Sequence, residues 1–259
     1  MKIIVCIKQV PGTNEVRLDP ETHAIIRDGR QAVINPFDQT AAELAVQLKE
    51  RLGGTVTALS MGIPATERLL RDTQSRGVDA ACLLSDRAFA GADTLATSYA
   101  LSLGVQALGG ADLILCGKMA VDGDTAQIGP ELAEHLGIPH ITDVTEILEA
   151  SETAFVVRRA SETGSQILRV QLPALLTVQK DIVTPRLPTI SGIRQSRNAP
   201  MQILNAAQVG ADTSRTGFAG SPTQVVRTFV PDSGREAVPL EGSAQQQAAQ
   251  ILNLLREEA

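Results

Sequence analysis

Residues 118–130, KMAVDGDTAQIGP, follow the apolar run ADLILC after the single residue Gly117 and set two aspartates, Asp122 and Asp124, either side of one glycine. Carboxylates at this spacing can hold a metal or accept hydrogen bonds from sugar hydroxyls. Gly123 and Gly129 let a backbone come close to a phosphate. Thr125 adds a hydroxyl and Lys118 a cation, and Pro130 suits the first turn of a helix whose N-terminus would favour an anion. Carboxylates beside an anion repel it unless they turn away to cap the loop or bind a sugar. The D-x-D spacing also resembles a magnesium-dependent aspartate-nucleophile phosphatase. Against that, the apolar run ends several residues before Asp122, Thr125 falls one position too early, and the downstream lysine and acidic pair are not identifiable.

Other reactive constellations are missing. The sequence lacks G-x-G-x-x-G, the G-x-x-x-x-G-K-[ST] phosphate loop, G-x-S-x-G and H-E-x-x-H. Cys6, Cys82 and Cys116 each lie inside an apolar run, without paired spacing, and read as buried thiols suited to a reducing cytoplasm. His23, His135 and His140 have no ligand spacing and read as solvated or structural, so no metal site is expected. No side chain stands out as acid, base or nucleophile, so any chemistry belongs to a bound cofactor.

The elements that must position the loop follow from the pattern of apolar residues. Four short runs, KIIVCIKQV (2–10), TVTALSMG (55–62), AACLLSD (80–86) and ADLILCGK (111–118), lack alternation and suit strands buried on both faces. Helical patterns lie between them. Phe37, Ala41, Leu44, Ala45, Leu48 and Leu52 make one apolar face, entered through Asn35 as N-cap, Pro36 at the first helical position and Asp38 closing the cap. The same NPFD stretch could present polar groups to a ligand beside the first strand. Alternating strand and helix predicts an α/β fold with a doubly wound, mostly parallel sheet to about residue 139. Its ligand site lies outside the strand carboxyl ends, where Met61 and the 119–129 loop fall.

After residue 140 the pattern changes. TAFVVRRAS and SQILRVQLPALLTVQKD predict an antiparallel ribbon, at about 140–181, with a turn near Thr163-Gly164. TPRLPTISGIRQSRNAP shows neither period and reads as a long exposed loop. SAQQQAAQILNLLREEA reads as a final amphipathic helix. The expected division is a nucleotide-binding domain over 1–190 and an extended partner-binding arm with the C-terminal helix over 191–259.

Composition limits the function classes. With 43% hydrophobic but only 2% aromatic residues and no Trp, the core must be built from Ala, Val, Ile and Leu. A net charge of −6 and scarce aromatics argue against nucleic-acid binding. No stretch approaches the roughly 20 apolar residues of a membrane span, and the N-terminal run is too short for a signal sequence. A cytoplasmic protein is expected.

Several segments together resemble one family. VCIKQVP (5–11), INPFDQTAAELAVQLKE (34–50), LSMG (59–62), LLSDRAFAGADTLATSYAL (83–101), CGKMAVDGDTAQIGPELAEHLGIP (116–139) and PRLPTISG (185–192) are similar, in order, to electron transfer flavoprotein β subunits. The resemblance implies a heterodimer with a flavin-carrying α subunit and a Rossmann-like crevice holding an adenine nucleotide. Its wall would be Cys6, Asn35, Pro36, Phe37, Asp38, Met61, Ala120, Val121, Asp122, Gly123, Asp124, Thr125, Ala126, Gln127, Ile128 and Gly129. The loop would cradle phosphate mostly by backbone amides, with Thr125 and Gln127 helping. Family members that hold only AMP read Asp-Asp-Asp and then Asn-Gln-Thr-Gly here. DGDTAQIGP instead resembles electron-bifurcating members, which hold FAD, with Ile128 in place of a valine. Gly123 in place of a carboxylate would make room for a second phosphate. The resemblance further implies NADH as electron donor. One electron would go to ferredoxin or flavodoxin, the other through the α flavin to an acyl-CoA dehydrogenase. This makes the chain an electron-carrier subunit, oxidoreductase-active only in the heterodimer and without a catalytic side chain of its own. The remaining alternatives are a structural AMP in place of FAD, or a stand-alone nucleotide-binding protein or phosphatase. TPRLPTISGIR resembles the family's dehydrogenase-recognition loop, with Pro185, Arg186, Ile190 and Arg194 at the docking positions. The usual lysine cluster is replaced by RQSRN.

Overall fold

The computed structural model describes residues 1–12, 32–226 and 239–257; His23 lies outside them. The chain forms two units, residues 1–225 and 226–259. In the first, β1 (Lys2–Cys6) leaves the main sheet after five residues, and β2 (Gln9–Pro11) pairs antiparallel with β3 (Ala32–Ile34) as a separate two-stranded ribbon. The single N-terminal strand expected from KIIVCIKQV is therefore two. The break falls at Ile7-Lys8: the Ile7 amide makes the last bond of the β1 ladder, to Leu59 O (2.8 Å), and the Lys8 amide turns instead to the Asp38 carboxylate (2.8 Å).

The next elements alternate as the sequence predicts: α1 (Pro36–Leu52), β4 (Thr55–Met61), α2 (Glu67–Ser75), β5 (Ala80–Leu84), α3 (Thr94–Ala107), β6 (Leu113–Gly117) and α4 (Ile128–Leu136). Ile3 and Val5 of β1 pack with Ala41, Leu44, Ala45 and Leu48 of α1 and Leu69 and Leu70 of α2. Ile4 and Cys6 face the other side, with Ala100, Leu101 and Val105 of α3 and Leu132 and Ala133 of α4. Helices thus cover both faces, which is why β1 shows no polar alternation. Each aliphatic side chain buried in this way contributes about 1.5–3 kcal/mol.

The chain continues through β7 (His140–Ala150), β8 (Ala154–Ser161), β9 (Gly164–Gln171), β10 (Ala174–Val178), α5 (Ile190–Ser196) and β11 (Met201–Leu204). Among the described residues nine strands share one sheet, in the order β11-β5-β4-β1-β6-β10-β7-β8-β9. β8 and β9 form the expected antiparallel hairpin, pairing Ser161 with Gly164. β10 does not belong to it. It enters between β6 and β7, parallel to both, and all five of its residues are buried. ALLTV is a short unbroken apolar run, the mark of a strand covered on both faces, and Pro173 is the break that separates it from β9.

The expected exposed loop after residue 184 also contains regular structure. Thr189 caps α5 by accepting from the Gly192 amide (2.9 Å), and a side chain at Gly192 would collide with Ser75 O at the end of α2. β11 adds a parallel edge strand to β5. Residues up to Val225 fall within the first compact unit. In the second unit, residues 239–257 contain α6 (Ala244–Glu257), on which Ile251, Leu252, Leu254 and Leu255 are exposed. No helix among the described residues is long and apolar enough to cross a membrane.

Candidate functional site

β1 lies between β4 and β6, and the order of connection reverses there, which opens a crevice outside the carboxyl ends of β1 and β6. Asp38, in the first turn of α1, ties those ends together. Its Oδ2 accepts the Lys8 amide (2.8 Å) and its Oδ1 the Gly117 amide (3.1 Å). A side chain at Gly117 would strike Asp38 and Phe37, so glycine is required where β6 ends. Burial pushes the Asp38 carboxyl up to about 7, against the two amides, Asn35 and the Lys8 charge, which oppose the rise.

Asn35 and Asp38 do not cap α1 as the sequence suggests. Asn35 makes no side-chain cap bond, although Pro36 does occupy the first turn. The buried Asn35 amide instead donates to Met119 O (2.8 Å) and accepts from the Val121 amide (3.2 Å). NPFD therefore anchors the 119–129 loop to the start of α1. An amide at position 35 can serve both partners because it carries a donor and an acceptor.

Beyond that anchor the loop turns on itself, with the Asp124 amide donating to Ala120 O (2.8 Å). Asp124 (φ 50°) and Ala126 (φ 54°) both adopt left-handed backbone, uncommon for residues with a side chain. Alternation of this kind turns successive amides toward one side and forms an anion-binding concavity. The amides of Thr125, Ala126 and Gln127 have no acceptor among the described residues. The first-turn amides of α4 continue the row, since a helix leaves its first N–H groups unpaired. α4 begins at Ile128, two residues before Pro130. Gly129 is buried against β10, where a side chain would collide with the Thr177 methyl. These unfilled donors fit the phosphates of a nucleotide.

The two aspartates do not converge. Asp122 is ion-paired with Lys8 (2.6 Å), which cancels its charge at the loop, while Asp124 is exposed. Lys118 is engaged with Asp143 (2.7 Å) and is not a free cation. Among the described residues no three His, Cys, Asp or Glu side chains cluster to hold a metal. Gly123 faces open space, with only Lys8 Nζ, at 3.8 Å, near an added Cβ.

Most of the expected wall residues meet at this rim, in different conditions. Cys6 is buried at the end of β1, and Phe37 and Asp38 are buried and spent on internal packing and bonding. Pro36 is exposed, Met61, Ala120 and Ile128 are half-buried, and residues 121–127 are open to solvent. The Cys116 thiol is buried beside Cys6, and their mutual contact, followed by burial, raises its pKa well above the ordinary value. Sequence reasoning missed Lys8, hidden in VCIKQVP, and Thr94 at the start of α3. Thr94 Oγ1 lies 3.3 Å from Gln127 Oε1 and 3.1 Å from Glu131 Oε1, linking α3 to the loop.

At the expected docking stretch, Arg186 is bound on both sides, to Glu43 (2.9 Å) and Glu50 (2.7 Å) of α1. Arg194 is exposed and Pro185 half-buried. Leu187 and Ile190, each 82% exposed, make an apolar pair that the sequence singled out only at Ile190.

Comparison with known proteins agrees with this arrangement. The Electron transfer flavoprotein domain matches residues 22–209. An electron transfer flavoprotein subunit beta of Thermoanaerobacterium thermosaccharolyticum is 43% identical, with 98% of each chain covered. The caffeyl-CoA reductase-Etf complex subunit CarD of Acetobacterium woodii is 43% identical over 89% of this chain and 88% of its own. Protein FixA of Bradyrhizobium diazoefficiens is 39% identical over 98% of this chain and 91% of its own. With a mostly parallel sheet whose switch-point loop offers a row of free amides, and with relatives matched from end to end, the chain belongs to the electron transfer flavoprotein family, among its β subunits.

Proposed function

We propose that this chain pairs with an electron transfer flavoprotein α subunit and holds FAD, rather than AMP, in its own crevice. NADH is the electron donor. Ferredoxin or flavodoxin and, through the α subunit, an acyl-CoA dehydrogenase are the acceptors. The observation that carries the reading is the loop at 123–129. Gly123 borders open space, and the amides of Thr125, Ala126 and Gln127 are unspent among the described residues, enough donors for two phosphates. A flavin held there would supply hydride acceptance from NADH and onward single-electron transfer.

The chain's own residues bind and orient. Asn35 fixes the loop to α1, Asp38 fixes the strand ends beneath it, and Lys8 neutralises Asp122 so that the cradle keeps its positive potential. Thr125 and Gln127 supplement the amides. The name of the Acetobacterium relative, a subunit of a caffeyl-CoA reductase-Etf complex, supports an acyl-CoA oxidoreductase as partner. Exposed Leu187 and Ile190 offer that partner an apolar contact.

Gly123→Asp tests the reading. A carboxylate there meets no backbone, so the fold should survive, yet it would put a negative charge into the open space that a second phosphate would use. The variant heterodimer should lose most of the flavin bound by this chain while the α flavin stays. Unchanged flavin stoichiometry would refute the proposal.

A further inference from the structure

A cavity of about 310 Å³ lies between α3, the end of α4 and the irregular chain at 212–222, apart from the 119–129 loop. Its size falls at the lower end of small-molecule sites. Leu95, Ala219 and Pro222 give it apolar walls, and Tyr99, His135 and Arg215 its polar side.

The Arg215 guanidinium lies over the Tyr99 ring, 4.0 Å from carbon to centroid, and His135 meets the same ring edge-on at 6.0 Å. The contact holds the guanidinium against the ring, and exposed Arg215 keeps its N–H edge for other partners. Among the described residues that edge has no hydrogen bond and no ion pair. Asp212, three residues back in the chain, is instead bound by the Ser214 amide (2.9 Å) and hydroxyl (2.7 Å). Those bonds, with Arg215's charge as a smaller contribution, hold the Asp212 carboxyl below its ordinary pKa.

The wall is built rather than incidental. The Asp212 amide donates to Tyr99 Oη (3.2 Å). Ser221 Oγ accepts from the Asp93 amide (2.8 Å) and donates to Gly217 O (2.7 Å), fastening the segment to the start of α3. A guanidinium held against an aromatic ring beside apolar walls matches a phosphate carried on a flat organic group.

We propose that this cavity is a second nucleotide site, separate from the crevice, in which Arg215 takes a phosphate by paired N–H bonds and Leu95 and Pro222 cover the base or sugar. A free nucleotide and the nucleotide portion of a larger coenzyme share this chemistry, and ADP is the simplest probe of it.

Tyr99 is the chain's one tyrosine, so fluorotyrosine incorporated into this subunit gives a single fluorine resonance at the site. In the assembled heterodimer, with its crevice nucleotide in place, ADP should move that resonance along a saturating curve. Arg215→Gln and, independently, Ala219→Glu at the exposed rim should each weaken the response about tenfold or more without changing crevice nucleotide content. Three results would overturn the proposal. They are no displacement at about 10 mM ADP, a titration unchanged in both variants, or inorganic phosphate acting as well as ADP.

Discussion

The Asp38 carboxyl group accepts amides from two different strand ends, so its protonation is tied to how the crevice floor is held. Its pKa of about 7 in the folded chain stands above the ordinary 3.8, because burial disfavours the charge more than the amides favour it. Between those values the native state binds more protons than the unfolded one, so this group's contribution to stability is full below about pH 4 and is lost as pH rises through about 7. Asp38→Asn places a donor against one of the two amides and should cost about 1–3 kcal/mol at pH 5. It also removes the titration, so the gap to wild type should narrow between pH 5 and 8. Urea midpoints across that range check this. A gap that widens with pH would mean that the carboxylate, not the acid, is the form the strand ends need. Asp122 illustrates the opposite case at the same rim: half-exposed Lys8 pairs with it, and the charge that the sequence left unexplained is neutralised across 114 residues of chain.

Among the elements, α1 does most to organise the site. Its N-terminus holds the loop and the strand ends, and its outer face binds Arg186, whose guanidinium spans Glu43 and Glu50. Burial would raise the Glu43 carboxyl, but the Arg186 bonds, with Gln47, hold it below its ordinary value. Arg186→Met should therefore leave Glu43, 5% exposed, without its cation. The expected loss is roughly 2–3 kcal/mol, less than for a fully buried pair because Arg186 is itself a third exposed. Arg186→Lys should recover only part, since a lysine cannot reach both carboxylates bidentately. Denaturant midpoints of the two variants test this, and equal stability of Met and wild type would show that the pair is dispensable. The pattern of α1 was legible because Phe37, Ala41, Leu44, Ala45 and Leu48 repeat at helical spacing. The use of Asn35 and Asp38 was not, because N-capping and clamping a distant loop call for the same residue types. The place of β10 was hidden for a related reason: an unbroken apolar run records burial on both faces but not which strands it lies between. α5 escaped because a helix of seven residues is too short to show a period.

On the scale of the molecule, the bonds that hold the candidate site gather at the carboxyl ends of strands in the first unit, and the exposed apolar residues include Leu187 and Ile190 of that unit and Ile251, Leu252, Leu254 and Leu255 of α6. These features suit the proposed reading, in which backbone amides hold a nucleotide and exposed apolar side chains meet other chains. The identity of that nucleotide is the centre of the account, and the decisive measurement is the FAD and AMP content of the purified heterodimer per mole of protein. Two FAD and no AMP is the predicted result. One FAD with one AMP would mean that DGDTAQIGP cradles a structural nucleotide, and the redox role assigned to this crevice would be wrong.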